Sequence, residues 1–305
     1  MNLIEAFGFA WNRMVVLLFR PFDFKRWFLM GFSAWLASFL TGGNSLSFNT
    51  HWPSSSPSPF SKGWQGLPAP FNSWGAETWI PVIATATLIV IALIFVFVWL
   101  GCRGQFMLLD NVVKGRSEVR VPWREFRVRA NSLFRLYALA FVGWLLLGLV
   151  CCGFGLAYFF FAPRSFHSWT YYLPYFLDFL VFLACSIVYS VALFFVRDFG
   201  VLWMYLHGGT AWEAARKVLA LSRAYPSDFL LYLCVRIVIG FATLMLGAMF
   251  GCLTCCLGYL PYLNSVVTLP FSVFRVWYAV ECFSCLGAEC DLRVPPPIPP
   301  TSVTL

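Results

Sequence analysis

The chain has 305 residues, 60% hydrophobic and 20% aromatic, with only 11% charged. Soluble domains carry about 25% charged residues, so this composition, with a mean hydropathy of +0.76, excludes an ordinary water-soluble enzyme and assigns the chain to a membrane. The formal charge of +8 would suit a nucleic-acid binder, but the basic residues flank hydrophobic runs, which makes them orientation signals and contacts for anionic lipid, with no nucleic acid expected.

Residues 1–20 form an apolar run with a polar stripe of Glu5, Asn12, Arg13 and Arg20. On a helix of about 3.6 residues per turn these share one side. The segment is therefore expected to lie in the membrane interface; the rival reading is a true span, with Arg13 near the bilayer centre. Glu5 stands where the apolar core of a signal peptide would sit, so no cleaved leader is expected. Pro21 and Asp23 turn the chain, and a short first span is expected over 27–41, with Lys25, Arg26 and Trp27 as interfacial anchors. Residues 42–78 are rich in Gly, Ser, Pro and Asn and are expected to form a poorly ordered outer loop.

The second span, 79–102, is the plainest membrane signal, a run without one charged residue. As a helix it reaches about 36 Å against a hydrocarbon core of about 30 Å. The most basic stretch, 103–135, follows it, and Pro122-Trp123-Arg124-Glu125-Phe126 reads as the start of a second interfacial helix. Further spans are expected over 136–162, 172–196, 229–251 and 262–286, and Phe199 to Arg223 reads as a third interfacial segment. Within it, Thr210 and Glu213 have the spacing of a capping box. The tail, 287–305, holds a proline run and is expected to be extended and polyproline-like.

The expected fold is thus an all-α, polytopic transmembrane helix bundle of about six spans with interfacial amphipathic helices, one membrane domain over 1–286. Lys and Arg fall in segments 1–26, 103–135, 197–228 and the tail on one side, against only Lys62 and Arg164 on the other. The positive-inside rule then puts both termini in the cytoplasm. Arg13-x-Val15-x-x-Leu18-x-Arg20 returns as Arg216-x-Val218-x-x-Leu221-x-Arg223. Interfacial segment, span, outer loop and span therefore recur three times, either as an internal repeat or as the common spacing of basic amphipathic helices.

Ala10-Trp11, Arg20-Pro21-Phe22-Asp23-Phe24, Trp27 and Gly31, with Ala211-Trp212-Glu213-Ala214, resemble an uncharacterised family of bacterial multi-pass membrane proteins. That family is loosely similar to the membrane domain attached to some glycerophosphodiester phosphodiesterases. The resemblance implies a six-span bundle in the bacterial inner membrane, and it supplies no catalytic residue.

Ionisable groups inside spans are the first candidates for function, because their burial in lipid is costly. Arg236 and Arg275 lie within the fifth and sixth expected spans, Glu281 lies further along the sixth, and Asp198 ends the fourth. One of the arginines is expected to pair with Glu281 or Asp198, either as a polar site for an anionic solute or lipid head group or as a structural ion pair. Cys151 and Cys152, with Cys252, Cys255 and Cys256, lie towards the outer ends of two spans and allow a disulfide there. Cys282, Cys285 and Cys290 fall one ligand short of a zinc site; Cys102 at the same membrane face is a candidate fourth, but cysteine also serves as a small apolar packing residue, and neither metal nor cofactor is expected. His51, His167 and His207 are scattered and no catalytic motif occurs, so an enzyme is not expected.

Two functional readings follow. The first is a non-enzymatic membrane component that engages anionic lipid or a protein partner, a second copy included, through its basic helices. The second is a transporter of small solutes or lipids that uses the polar residues of spans five and six. Broken spans flanking a charged cavity would favour the second.

Overall fold

The computed structural model describes residues 3–20, 22–41, 76–161, 169–253, 261–287 and 290. Of the expected outer loop, 42–78, residues 42–75 lie outside the described residues and 76–78 already belong to a helix; of the expected tail, 287–305, only 287 and 290 are described. All regular structure among the described residues is helical, in the order α1 (Leu3–Phe19), α2 (Phe24–Thr41), α3 (Ala76–Val113), α4 (Arg120–Glu125), α5 (Arg127–Phe161) and α6 (Trp169–Phe195). A π-helical turn, Val196–Gly200, continues α6 into α7 (Val201–His207), followed by α8 (Ala211–Ala224), α9 (Pro226–Leu253), α10 (Pro261–Val267) and α11 (Leu269–Ser284).

Four helical stretches are long and apolar enough to cross a membrane: Ile80–Val113, Arg127–Tyr158, Tyr172–His207 and Pro226–Phe250. In the first three, none of the most apolar window is buried inside the protein. Leu88, Leu149 and Val188 are among the side chains left exposed there. So much continuous apolar surface is incompatible with water and matches lipid. The protein is accordingly a membrane protein.

This corrects the expectation of six spans. The run 27–41 does form a helix, but α2 starts at Phe24, takes in Lys25 and Arg26, and has Met30, Ala34, Leu36 and Ala37 buried inside the protein. The run 262–286 is not one helix. It breaks at Thr268, and Pro270 stands in the first turn of the helix that follows. Neither piece reaches the length of a full crossing, about 20 residues, and α11 is buried along most of its length.

The core lies at one end of the long helices. The C-terminal part of α3, from Cys102 to Val112, is almost wholly buried, as are Phe199, Val201, Leu202 and Met204 around the π turn. Phe199 to Arg223 does not form one amphipathic segment: α6 runs on through the π turn into the core, and the amphipathic helix starts only at Ala211. Two glycines let α2 and α3 meet. A Cβ on Gly101 would stand 2.8 Å from the Leu40 backbone nitrogen, and one on Gly104 would overlap the backbone of Leu36 and Ala37. Backbone contact of this kind is available only to the smallest side chains.

Helices α4 and α8 each pack on the end of the long helical stretch that precedes them, and α1 packs on a helix from the other end of the described chain. Helix α4 packs on α3, α8 packs on the π turn and α7, and α1 packs on α11. In α1 the buried face is Ala6, Ala10, Met14 and Leu18, and in α8 it is Ala211, Ala214 and Val218. Steps of three and four residues, with alanine at two positions in each helix, bring both helices close onto their supports. Helix α4 starts at Arg120, two residues before the expected Pro122. The capping box of α8 is formed: Thr210 Oγ1 accepts from the Glu213 N–H, and Glu213 Oε2 accepts from the Thr210 N–H.

Candidate functional site

A cavity of about 390 Å³ opens between α2, α3, the π turn, α9, α10 and α11. Its small polar wall comes from Ser38, Gln105, Thr243, Ser265, Thr268 and Ser272. Its charged wall comes from Arg197, Asp198, Arg236 and Arg275. Both interruptions of the helical frame, the π turn and Thr268, therefore border one space. In an α-helix successive residues point about 100° apart; the wider π turn still puts both Arg197 and Asp198 on the cavity wall.

Asp198 is bonded through both carboxylate oxygens. Its Oδ2 accepts from Arg236 Nη2 at 2.5 Å, Arg236 Nε at 2.9 Å and Tyr232 Oη at 2.8 Å. Its Oδ1 accepts from Arg197 Nε at 3.1 Å. The side chains of Asp198 and Arg236 are 7% and 6% exposed, so the pair is screened little by water. Aromatic rings hold it in place. The Tyr232 ring stacks on Tyr278 and packs on Phe199, and Phe194 lies under the guanidinium groups of both Arg197 and Arg236.

Arg275 reaches the same space from α11 without an ion pair or hydrogen bond among the described residues. Its charge is opposed by Arg236 and Arg197 and favoured by Asp198. Three guanidinium groups thus share one carboxylate in one confined space. A cation cluster with that imbalance favours an anion, which can bind by paired N–H donors without proton transfer.

Of the four residues singled out from the sequence, the fold brings Asp198, Arg236 and Arg275 together. Glu281 is 2% exposed and lies away from the cavity wall. It follows Arg275 by six helical positions, a rotation of about 240° that turns it to another side of α11. Arg197 and Tyr232 are the residues that sequence reasoning missed. Arg197 looked like a boundary marker at the end of an apolar run, and Tyr232 looked like one more aromatic residue in a span.

A second polar node lies beyond the cavity. Asp110 is fully buried and receives Lys114 Nζ at 2.6 Å, Arg116 Nη2 at 2.8 Å and Tyr205 Oη at 3.0 Å. The hydrogen bond to Asp110 holds the Arg116 guanidinium above its ordinary pKa. Every charge there has a partner, so the node fastens α3 to the following turn and to α7. Cys151 and Cys152 form no disulfide, and Cys255 and Cys256 lie outside the described residues.

A family model described as a family of unknown function, DUF7544, matches residues 1–289, and the chain belongs to that family. No curated protein and no solved structure matches the chain. The likeness to the membrane domain of glycerophosphodiester phosphodiesterases therefore rests on the sequence motifs alone.

Proposed function

We propose that this member of the DUF7544 family is a multi-pass membrane carrier that binds the anionic group of a small solute or lipid in the arginine-lined cavity. One observation carries the reading: Arg197, Arg236 and Arg275 face a single carboxylate, and Arg275 has no ion pair of its own among the described residues. A purely structural pair would balance its charges, because an unmatched buried cation costs several kcal/mol. The two helix breaks on the cavity wall support transport in particular, since carriers place their sites where helices are interrupted. By the positive-inside rule the basic helix ends face the cytoplasm. This puts the end of the bundle where α3 stops and α5 starts, and with it the site, near the cytoplasmic leaflet of a bacterial inner membrane.

The reading as a lipid- or protein-engaging component has its own support. Helix α8 exposes Trp212 with the Arg216 guanidinium over its ring, a pairing suited to the head-group region. The two readings place ligands at different surfaces and can be separated. Detergent-purified protein is titrated with inorganic phosphate and with a short-chain phosphatidic acid while thermal unfolding is recorded. A carrier site gives a saturable rise in Tm for the wild type. Arg275→Gln, verified as folded by gel filtration, should lose it. A rise of equal size in R275Q would sink the cavity reading.

A further inference from the structure

A groove on the other side of α2 has a different construction. Phe32 and Leu36 of α2 and Leu100 of α3 make an apolar wall, and Arg120, Trp123 and Arg124 of α4 face it. Phe32 and Leu36 are one turn apart on one side of α2, whereas Ala34, Ala37 and Ser38 line the carrier cavity from its opposite side. The groove and the cavity are therefore separate.

Arg120 and Arg124 are exposed, one turn apart, and form no ion pair among the described residues. The neighbouring acid Glu125 lies 4.0 Å from Lys114, and Glu118 favours the charge of Arg116. Trp123 between them is fixed from behind. Arg103, 8% exposed, lies over the Trp123 ring at 4.7 Å and over the Trp99 ring at 4.2 Å, and its Nε has no hydrogen-bond partner. Trp99 Nε1 in turn donates to Asn131 Oδ1 at 3.1 Å. Arg103 is also where the charge-free run of α3 ends. The groove thus joins an apolar wall to a fixed indole and two unpaired guanidinium groups at the edge of a spanning segment. Tryptophan and arginine occupy that level in membrane proteins because lipid head groups do.

We propose that this groove holds one anionic phospholipid, its phosphate on Arg120 and Arg124 and an acyl chain along Phe32, Leu36 and Leu100. A free anion would have no use for the apolar wall, and a neutral lipid would leave the two guanidinium groups unmatched. The site is independent of the carrier cavity.

Native mass spectrometry of the full chain in detergent tests it, with phosphatidylglycerol and phosphatidylcholine of identical acyl chains as probes. The wild type should retain one phosphatidylglycerol with about tenfold preference over phosphatidylcholine. Arg120→Gln with Arg124→Gln should abolish the preference, and Arg120→Lys with Arg124→Lys should keep most of it. Leu100→Trp, which fills the groove without touching its charge, should weaken phosphatidylglycerol binding, and Arg275→Gln should leave it unchanged. Equal retention of the two lipids by the wild type would overturn the proposal. So would a preference that survives R120Q/R124Q, one that disappears in R275Q, or displacement of the lipid by soluble glycerol 3-phosphate.

Discussion

Asp198 and Arg275 share a cavity wall but have opposite relations to stability. Among the described residues Asp198 is the only carboxylate on that wall, and Arg236, Arg197 and Tyr232 all donate to it. Asp198→Asn leaves Arg236 buried with no countercharge, and removing one partner of a buried pair costs ~3–5 kcal/mol. Thermal unfolding in detergent should show a large fall in Tm. Arg275→Gln removes a charge that Arg236 and Arg197 oppose, so its Tm should stay level or rise while phosphate no longer adds to it. If both variants fall together, Arg275 is a structural residue. The sequence carried much of this. Charged residues inside apolar runs are rare enough to be noticed, and Asp198 with Arg236 was among the expected pairings. Arg197 was not, because nothing in a linear pattern says that a π turn will direct the last residue of a span inward.

Among the helices, the seam between α2 and α3 carries the sharpest demand. Gly104→Ala sets a methyl group against backbone that cannot rotate away, so the two helices must separate and the buried length of α3 loses its support. Folded yield by gel filtration should drop severely. Gly143→Ala is the control: nothing lies within 4 Å of the new methyl group, so the substitution should be neutral or stabilising by up to about 1 kcal/mol. Thr210→Ala removes the cap of α8 and should cost about 1 kcal/mol, read as a modest fall in Tm. Helix existence and type were legible for every long apolar run, and the capping box was legible from two residues. The number of spans was not. Composition cannot separate a run that faces lipid from one buried against neighbours, and α2 and α11 are of the second kind. Pro270 was the available signal that the last run is two helices, since proline belongs in a first turn.

For the molecule as a whole, the charge pattern predicts orientation and the packing pattern predicts order. A reporter active only outside the cytoplasm, fused ahead of Met1, should stay inactive, because α1 packs on α11 with Ala6, Ala10, Met14 and Leu18 buried, and α11 packs on the π turn at the basic end of the bundle. Strong activity would contradict that packing. The segments Arg13 to Arg20 and Arg216 to Arg223 lie in helices α1 and α8, which pack on α11 and on the π turn with α7. The contact of α1 with α11 joins residues far apart in the chain, so no local pattern could reveal it. The three arginines on the cavity wall have one more consequence. Like charges confined with too little countercharge push against the fold that confines them. An anion that enters relieves this and becomes part of what keeps the protein folded. In the cell, the lifetime of the protein would then follow the supply of its ligand. The R275Q variant, released from that strain, would persist at the same level whether the ligand was plentiful or scarce.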